Sequence, residues 1–218
     1  MKMNFKNNIL LDRPDLRIIA DNISQSSKVL DLGCGDGTLL AFLRDYKNIK
    51  GTGIELYQDK ILQCVKKGVP VLHGDLDDGL GEIKKRTYDY VVLSETIQTV
   101  LHPDKLLLEM SRVGKTIIVN FINMGHYSAR LHLLLFGKMP VTKHLPYMWY
   151  NTQNIHLGTV NDFKDLCRSL NLKIEKTVPL DNLSLYMARF YPNLFASKCI
   201  FIIKANSQDS SPNNCINS

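Results

Sequence analysis

One run of nine residues constrains this chain more than any other: Val29-Leu30-Asp31-Leu32-Gly33-Cys34-Gly35-Asp36-Gly37. A short apolar run ends in glycines at every second position, and Thr38-Leu39-Leu40-Ala41-Phe42-Leu43 follows with helical spacing. A turn of this kind brings backbone close to whatever it holds, and glycine tolerates the conformations required. Strand, glycine-rich turn and helix in that order belong to sheets whose strands alternate with crossover helices.

The alternation runs on through the chain. Apolar periodicity predicts a leading helix over 15–23, then strands at 28–32, 50–55, 69–73, 88–93 and 116–121. Helices are predicted at 37–46, 59–67 and 103–112, the last with Pro103 at its start and Gly114 beyond its end. Two further strands, 173–178 and 198–203, follow a helix at 160–170. The link 179–196 has no long amphipathic pattern and suits an antiparallel return. The expected fold is therefore α/β: a Rossmann-like, doubly wound seven-stranded sheet, mostly parallel with an antiparallel last strand. One domain is expected over 13–204, with an insertion at 122–156 and a polar, disordered tail at 205–218.

Composition narrows the function classes. At 218 residues, 44% hydrophobic and 22% charged, the chain suits one sizeable core. The net charge of +6 is spread among acidic residues with no long block of one sign, so no nucleic-acid footprint is expected. Five cysteines, Cys34, Cys64, Cys167, Cys199 and Cys215, form no Cys-x-x-Cys pair and argue for reduced thiols in a cytoplasm. Met1 to Asp12 lacks an apolar signal core, and the greasy stretch 131–136 is too short for a bilayer, so no membrane is expected. Gly114-Lys115-Thr116 ends like a P-loop, but Glu109 stands in place of the first glycine and a strand follows. His126 and His132 lack the spacing of zinc ligands, and no metal is expected.

The glycine turn departs from a dinucleotide fingerprint. Its spacing is Gly33-x-Gly35-x-Gly37, with Thr38 where a third fingerprint glycine would stand. Asp31 and Asp36 would repel a pyrophosphate, which a helix N-terminus otherwise attracts. They favour a ligand with an ammonium and a sulfonium and no phosphate, S-adenosylmethionine, or its product S-adenosylhomocysteine, which keeps the ammonium. Glu55, ending the second strand, is placed to accept both hydroxyls of a ribose. Asp75, in Gly74-Asp75-Leu76, can meet an adenine amino group, with Leu56 and Leu76 sandwiching the ring. Ser94 and Glu95 leave the fourth strand beside the methionine end. The expected cofactor set is Asp31, Gly33, Cys34, Gly35, Asp36, Gly37, Glu55, Leu56, Gly74, Asp75, Leu76, Ser94 and Glu95. The bland reading of each acid alone is a helix cap or turn former.

The insertion 122–156 interrupts the alternation. It holds Arg130, Lys138 and Lys143, no Asp or Glu, four of the six histidines and the only tryptophan, Trp149. A functional lid or contact surface fits this composition, and so does a structural cap that completes the core.

These residues carry a closer likeness. The chain resembles the class I methyltransferases, and within them the methionine biosynthesis protein MetW family. The general part is Val29 to Gly37. The specific part lies in the insertion: Gly125-His126, Arg130-Leu131, Gly137-Lys138-Met139-Pro140-Val141-Thr142-Lys143, Leu145-Pro146-Tyr147, Trp149-Tyr150-Asn151-Thr152 and Asn154-Ile155-His156. Gly74-Asp75-Leu76-Asp77, Ser94, Gln98 and Pro192-Asn193-Leu194-Phe195-Ala196 add to it. The resemblance implies a role in methionine synthesis beside a MetX-type homoserine O-acyltransferase, whose activity such proteins support or regulate, with contact through the insertion. Glu95 departs from the Gln that the family pattern leads one to expect. The alternative is an active methyltransferase on a small-molecule acceptor, with His126, Tyr127, His144, Tyr150 or His156 available as a base.

Overall fold

The computed structural model describes residues 13–142, 146–180 and 185–205. Elements follow in the order α1 (Pro14–Asp21), β1 (Lys28–Leu32), α2 (Thr38–Lys47), β2 (Lys50–Glu55), α3 (Gln58–Lys66), β3 (Val71–His73), β4 (Tyr88–Ser94), α4 (Pro103–Val113) and β5 (Gly114–Ile122). Then come α5 (Tyr127–Phe136), α6 (Val160–Ser169), β6 (Lys173–Leu180), α7 (Leu185–Phe190), α8 (Pro192–Phe195) and β7 (Lys198–Lys204). The seven strands form one sheet in the order β3-β2-β1-β4-β5-β7-β6. Pairings among β1 to β5 are parallel, whereas β7 runs antiparallel to both β5 and β6. The doubly wound sheet with an antiparallel last strand is therefore as the sequence predicts.

Strand parity sorts the core into two layers. Leu30, Leu32, Val91, Leu93, Ile117, Val119 and Phe201 face α4 and α6 with their Leu107, Met110, Val160 and Phe163. Val29, Val92, Ile118 and Ile200 face α1, α2 and α3 with their Ile19, Leu40, Leu43 and Cys64. Continuous apolar runs in β4 and β5 are what strands covered on both faces require. Each fully buried Leu or Ile contributes about 1.5–3 kcal/mol relative to exposure. The glycines that shape β2 have steric reasons. A Cβ at Gly53 would lie 2.3 Å from Cys34 Sγ, and one at Gly51 would lie 2.8 Å from Ile49 Cδ1.

Two segments differ from the sequence expectation. The insertion contains a helix, α5, that periodicity does not reveal because its apolar residues run consecutively and only Ala129 is buried. The link 179–196 makes the expected antiparallel return, β6 against β7, but carries two short helices, α7 and α8, the second started by Pro192. Ala205 is buried and donates its N–H to Lys115 O at 3.0 Å. The remainder of the expected tail, 206–218, lies outside the described residues, as do Lys143, His144 and Leu145.

Candidate functional site

The C-terminal ends of β1, β2, β4 and β5 converge on one side of the sheet, where open α/β folds place ligands. The glycine turn leaves β1 there and is pinned to β2. Gly33 N and Cys34 N both donate to Ile54 O, at 2.9 and 3.1 Å. Gly33, Gly35 and Gly37 all hold positive φ, at 66°, 55° and 74°. At Gly33 any Cβ would also come within 2.6 Å of Thr96 Oγ1.

Glu55 is buried and locks this turn. Its Oε2 accepts from Gly35 N at 2.8 Å, and its Oε1 accepts from Leu56 N and Tyr57 N at 2.9 and 3.0 Å. A carboxylate offers about four acceptor sites, so three backbone bonds fix its orientation and leave it short of saturation. Asp31 stands beneath the turn at 2% exposure, and its Oδ1 has no donor among the described residues. Burial, reinforced by the charge of Glu55, pushes its carboxyl up to about 7. A buried carboxyl with an unpartnered oxygen calls for a donor or a cation beside it.

Asp36 is spent differently. It accepts from Thr38 N at 3.1 Å and Thr38 Oγ1 at 2.8 Å, and pairs with Lys67. Partial burial opposes its charge, but the bonds from Lys67 and Thr38 outweigh that and hold its carboxyl below the ordinary range. The N-terminus of α2 is thus capped by the chain's own anion, and a pyrophosphate would meet repulsion there. Cys34 points away from the mouth. Its sulfur lies 3.8 Å from Cys64 Sγ in the core, and burial raises both thiols above their ordinary value.

On the β3 side, Gly74 N donates to Glu55 O at 3.2 Å, which keeps the two loops together. Asp75 is exposed, and its Oδ1 caps the turn Leu76–Asp78 through Asp77 N at 2.9 Å. Leu76 is half-buried and packs on the core, while Leu56 is exposed on the facing loop. Asp77, outside the expected set, joins this loop to the one after β4 by accepting from Leu101 N at 2.8 Å.

Beyond β4 the structure assembles a polar cluster that sequence reasoning misses in part. Asn120, fully buried in β5, donates through Nδ2 to Asp15 Oδ2 and to Ser94 Oγ, each at 3.3 Å. Asp15 in α1 is gripped by Arg13 at 2.7 Å, and although burial opposes its charge, Arg13 lowers its pKa overall. Glu95, at φ 60°, pairs with Lys198 from β7 and lies 3.6 Å from Arg13 Nη2. The available signal was a lone Asn near the end of a mostly apolar strand and an Asp opening a helix far upstream. Neither is diagnostic without the topology that unites them.

The insertion is rooted at both ends. Asn123 donates to Ala196 O at 2.7 Å and Asn193 O at 3.1 Å, and accepts from Gly125 N at 2.9 Å and Val160 N at 3.2 Å. Gln98 accepts from Ile122 N at 3.1 Å and donates to His156 O at 3.0 Å, and its own carbonyl receives the N–H groups of Ile155 and His156. Between these roots large apolar side chains are exposed, together with Arg130 and Lys138. Leu134, Trp149 and Tyr150 are 80%, 76% and 70% exposed, so these side chains do not complete the core. Among the described residues no cluster of three or more His, Cys, Asp or Glu could hold a metal, and no helix is long and apolar enough to cross a membrane.

Comparison with known proteins adds identity to this geometry. Among solved structures, S-adenosylmethionine-dependent methyltransferases share the fold. One from Archaeoglobus fulgidus superposes with a TM-score of 0.64 at 17% identity, over 89% of this chain and 93% of that one. One from Mesorhizobium loti gives 0.64 at 14% identity, over 88% and 96%. The [4+2]-cyclase SpnF gives 0.63 at 13% identity, over 89% and 82%, so the fold alone does not fix a reaction. A curated relative, the bifunctional methionine biosynthesis protein MetXA/MetW of Rhodopirellula baltica, is 35% identical over 173 residues. That match takes in 75% of this chain and 28% of the relative, whose remaining length has no counterpart here. The model of the methionine biosynthesis protein MetW matches residues 13–203, from the arginine that grips Asp15 to the last strand of the sheet, and the chain belongs to that family.

Proposed function

We propose that this chain binds S-adenosylmethionine or S-adenosylhomocysteine at the mouth of its sheet and acts with a MetX-type homoserine O-acyltransferase to support or regulate acylation. The observation that carries the ligand reading is Asp31: a buried carboxyl under a glycine turn, with one oxygen lacking any donor among the described residues. A cationic nucleoside satisfies it, and a pyrophosphate would meet Asp36 at the helix start. Gly33, Gly35 and Gly37 give close backbone approach, Glu55 is placed for the ribose, and Leu56, Gly74, Asp75 and Leu76 for the base. Ser94 and Glu95 flank the amino-acid end.

The partner reading rests on the Rhodopirellula protein, whose name joins MetXA and MetW in one chain, and on the rooted, acid-free insertion 122–156. An end-product nucleoside bound beside that surface supplies a differential contact with which to bias a partner. The test is titration calorimetry with both nucleosides and with NAD, followed by copurification with the acyltransferase in the presence and absence of nucleoside. Binding of the nucleosides over NAD, and a complex that responds to them, are expected. A folded protein indifferent to both nucleosides defeats the ligand reading, and no complex under either condition defeats the partner reading. Transfer of a labelled methyl group to an acceptor in cell extract would favour the alternative, an active methyltransferase.

A further inference from the structure

Glu95 occupies an unusual position in the polar cluster. Two cations converge on one of its oxygens: Lys198 Nζ bonds to Oε1, and Arg13 Nη2 lies 3.6 Å from the same atom. The Lys198 side chain is only 16% exposed, and a lysine so covered needs an anion beside it. Arg13 has a second, independent anchor in Asp15, which it grips through Nε and Nη2 at 3.0 and 2.7 Å. Removing the Glu95 carboxylate would therefore leave Arg13 anchored on Asp15, and leave the covered Lys198 ammonium without its anion at the end of β4.

That point lies beside the expected amino-acid end of the ligand. Asp31 is the register partner of Val92 in β4, and Glu95 stands in the turn just past the end of that strand. The anion for an ammonium and the cations for a carboxylate thus stand at the ends of two adjacent strands, β1 and β4. Glu95 itself is held by its backbone, with its N–H on Asn120 O at 2.8 Å. Among the described residues its side chain is held by Lys198 and Arg13 alone, and the Lys198 backbone is fixed at the start of β7 opposite Ile122.

We propose that Arg13 and Lys198 form a carboxylate-binding clamp, that Glu95 is its built-in occupant, and that Glu95 competes from within the chain against the carboxylate of an amino-acid-bearing nucleoside. The inference rests on the nucleoside reading above and adds a regulation to it. A resident competitor sets affinity lower than the site's other contacts would, which suits a detector of an abundant end product. Neutralising it leaves Lys198 needing an external anion and strengthens that ligand contact.

The test compares S-adenosylhomocysteine with 5′-methylthioadenosine, a thioether nucleoside without the amino-acid end, by calorimetry on the full chain. Glu95→Gln is expected to tighten S-adenosylhomocysteine about tenfold and leave methylthioadenosine unchanged. Lys198→Met is expected to weaken S-adenosylhomocysteine about tenfold and again leave methylthioadenosine unchanged. Unchanged or weaker S-adenosylhomocysteine binding by Glu95→Gln overturns the clamp, even if Lys198→Met fails to fold. Equal losses for both ligands in Lys198→Met assign Lys198 a structural role and overturn it too. If the unaltered protein binds neither nucleoside, the proposed function itself falls, an outcome distinct from failure of the clamp.

Discussion

The mouth of the sheet and the insertion solve opposite problems. At the mouth, most charged groups already have internal partners: Glu55 holds three backbone N–H groups, Asp36 holds Lys67, and Asp15 holds Arg13. In the insertion, buried polar side chains hold the two roots, and the stretch between them shows Leu, Trp and Tyr to solvent beside exposed Arg130 and Lys138. A polar site must be rigid before its ligand arrives, since buried groups without partners are costly. An apolar contact surface needs only a fixed backbone beneath it, because its favourable term appears when a partner covers it. The comparison implies that damage at the roots unfolds the insertion, whereas damage on its exposed face leaves stability alone.

Asn123 should show the largest effect. Asn123→Leu removes a side chain that serves the carbonyls of Asn193 and Ala196 and the N–H groups of Gly125 and Val160. Each buried group left unpaired costs about 1–3 kcal/mol, so a loss of about 4 kcal/mol is expected. For a chain of this size that lowers Tm by about 10 °C, read by calorimetry. A Tm close to that of the parent would show that the insertion is not rooted there, and the contrast would fail.

Asp31 tests the other region through pH. Its folded pKa, about 7, lies above the ordinary carboxyl value, so the native state binds the extra proton and the unfolded state does not. Stability from this group is therefore full below about pH 4 and declines as pH rises toward 7, then levels off. Asp31→Asn should abolish that slope and stabilise the unliganded protein by about 2 kcal/mol at pH 8, measured by urea denaturation across pH. A cationic nucleoside needs the ionised form, so below pH 7 its binding should release a proton. Calorimetry in buffers of different ionisation enthalpy reads that release. A parent stability that rises from pH 4 to 7 on account of Asp31 would reverse the assignment.

How much of this was legible beforehand depends on the range of the interactions. Strand and helix limits in β1 to β5 follow from local periodicity and glycine placement, and β1 and β2 match residue for residue. The acids at strand ends were visible because topology alone brings strand ends together. Their partners were not: Lys67 meets Asp36 and Lys198 meets Glu95 only after distant elements pack. Helix α5 was hidden because its leucines are consecutive and mostly exposed, so no core imprinted a period on them. Pro192-Asn193-Leu194-Phe195-Ala196 was visible as a motif but Asn123 was not, and the link between them needs the fold: Asn123 donates to the carbonyls of Asn193 and Ala196.

Gly33→Ala sharpens the comparison at smaller cost. Its φ of 66° strains any L-residue by about 1 kcal/mol, and the new Cβ would press on Thr96 at 2.6 Å. Thr96 is a side chain that can yield, so a stability loss of about 1–2 kcal/mol is expected. Nucleoside affinity should fall further than that, because the turn would move off Ile54 O. Adding Thr96→Ala should restore most of the stability and little of the binding. Recovery of both together would place the turn's importance in packing alone.

Leu134 should show the smallest effect on the fold and for that reason separates the two regions most cleanly. At 80% exposure its side chain contributes little to the core, so Leu134→Asp should change unfolding free energy by less than about 0.5 kcal/mol. The same change places a carboxylate in a surface that holds none across 122–156. A partner that buries this face would have to desolvate that charge, which costs far more than losing one leucine contact. Copurification with the acyltransferase should therefore fail while Tm and nucleoside titration match the parent. An intact complex would move the contact off α5, and a large fall in Tm would mean that this face is packed within the molecule and is no docking surface at all.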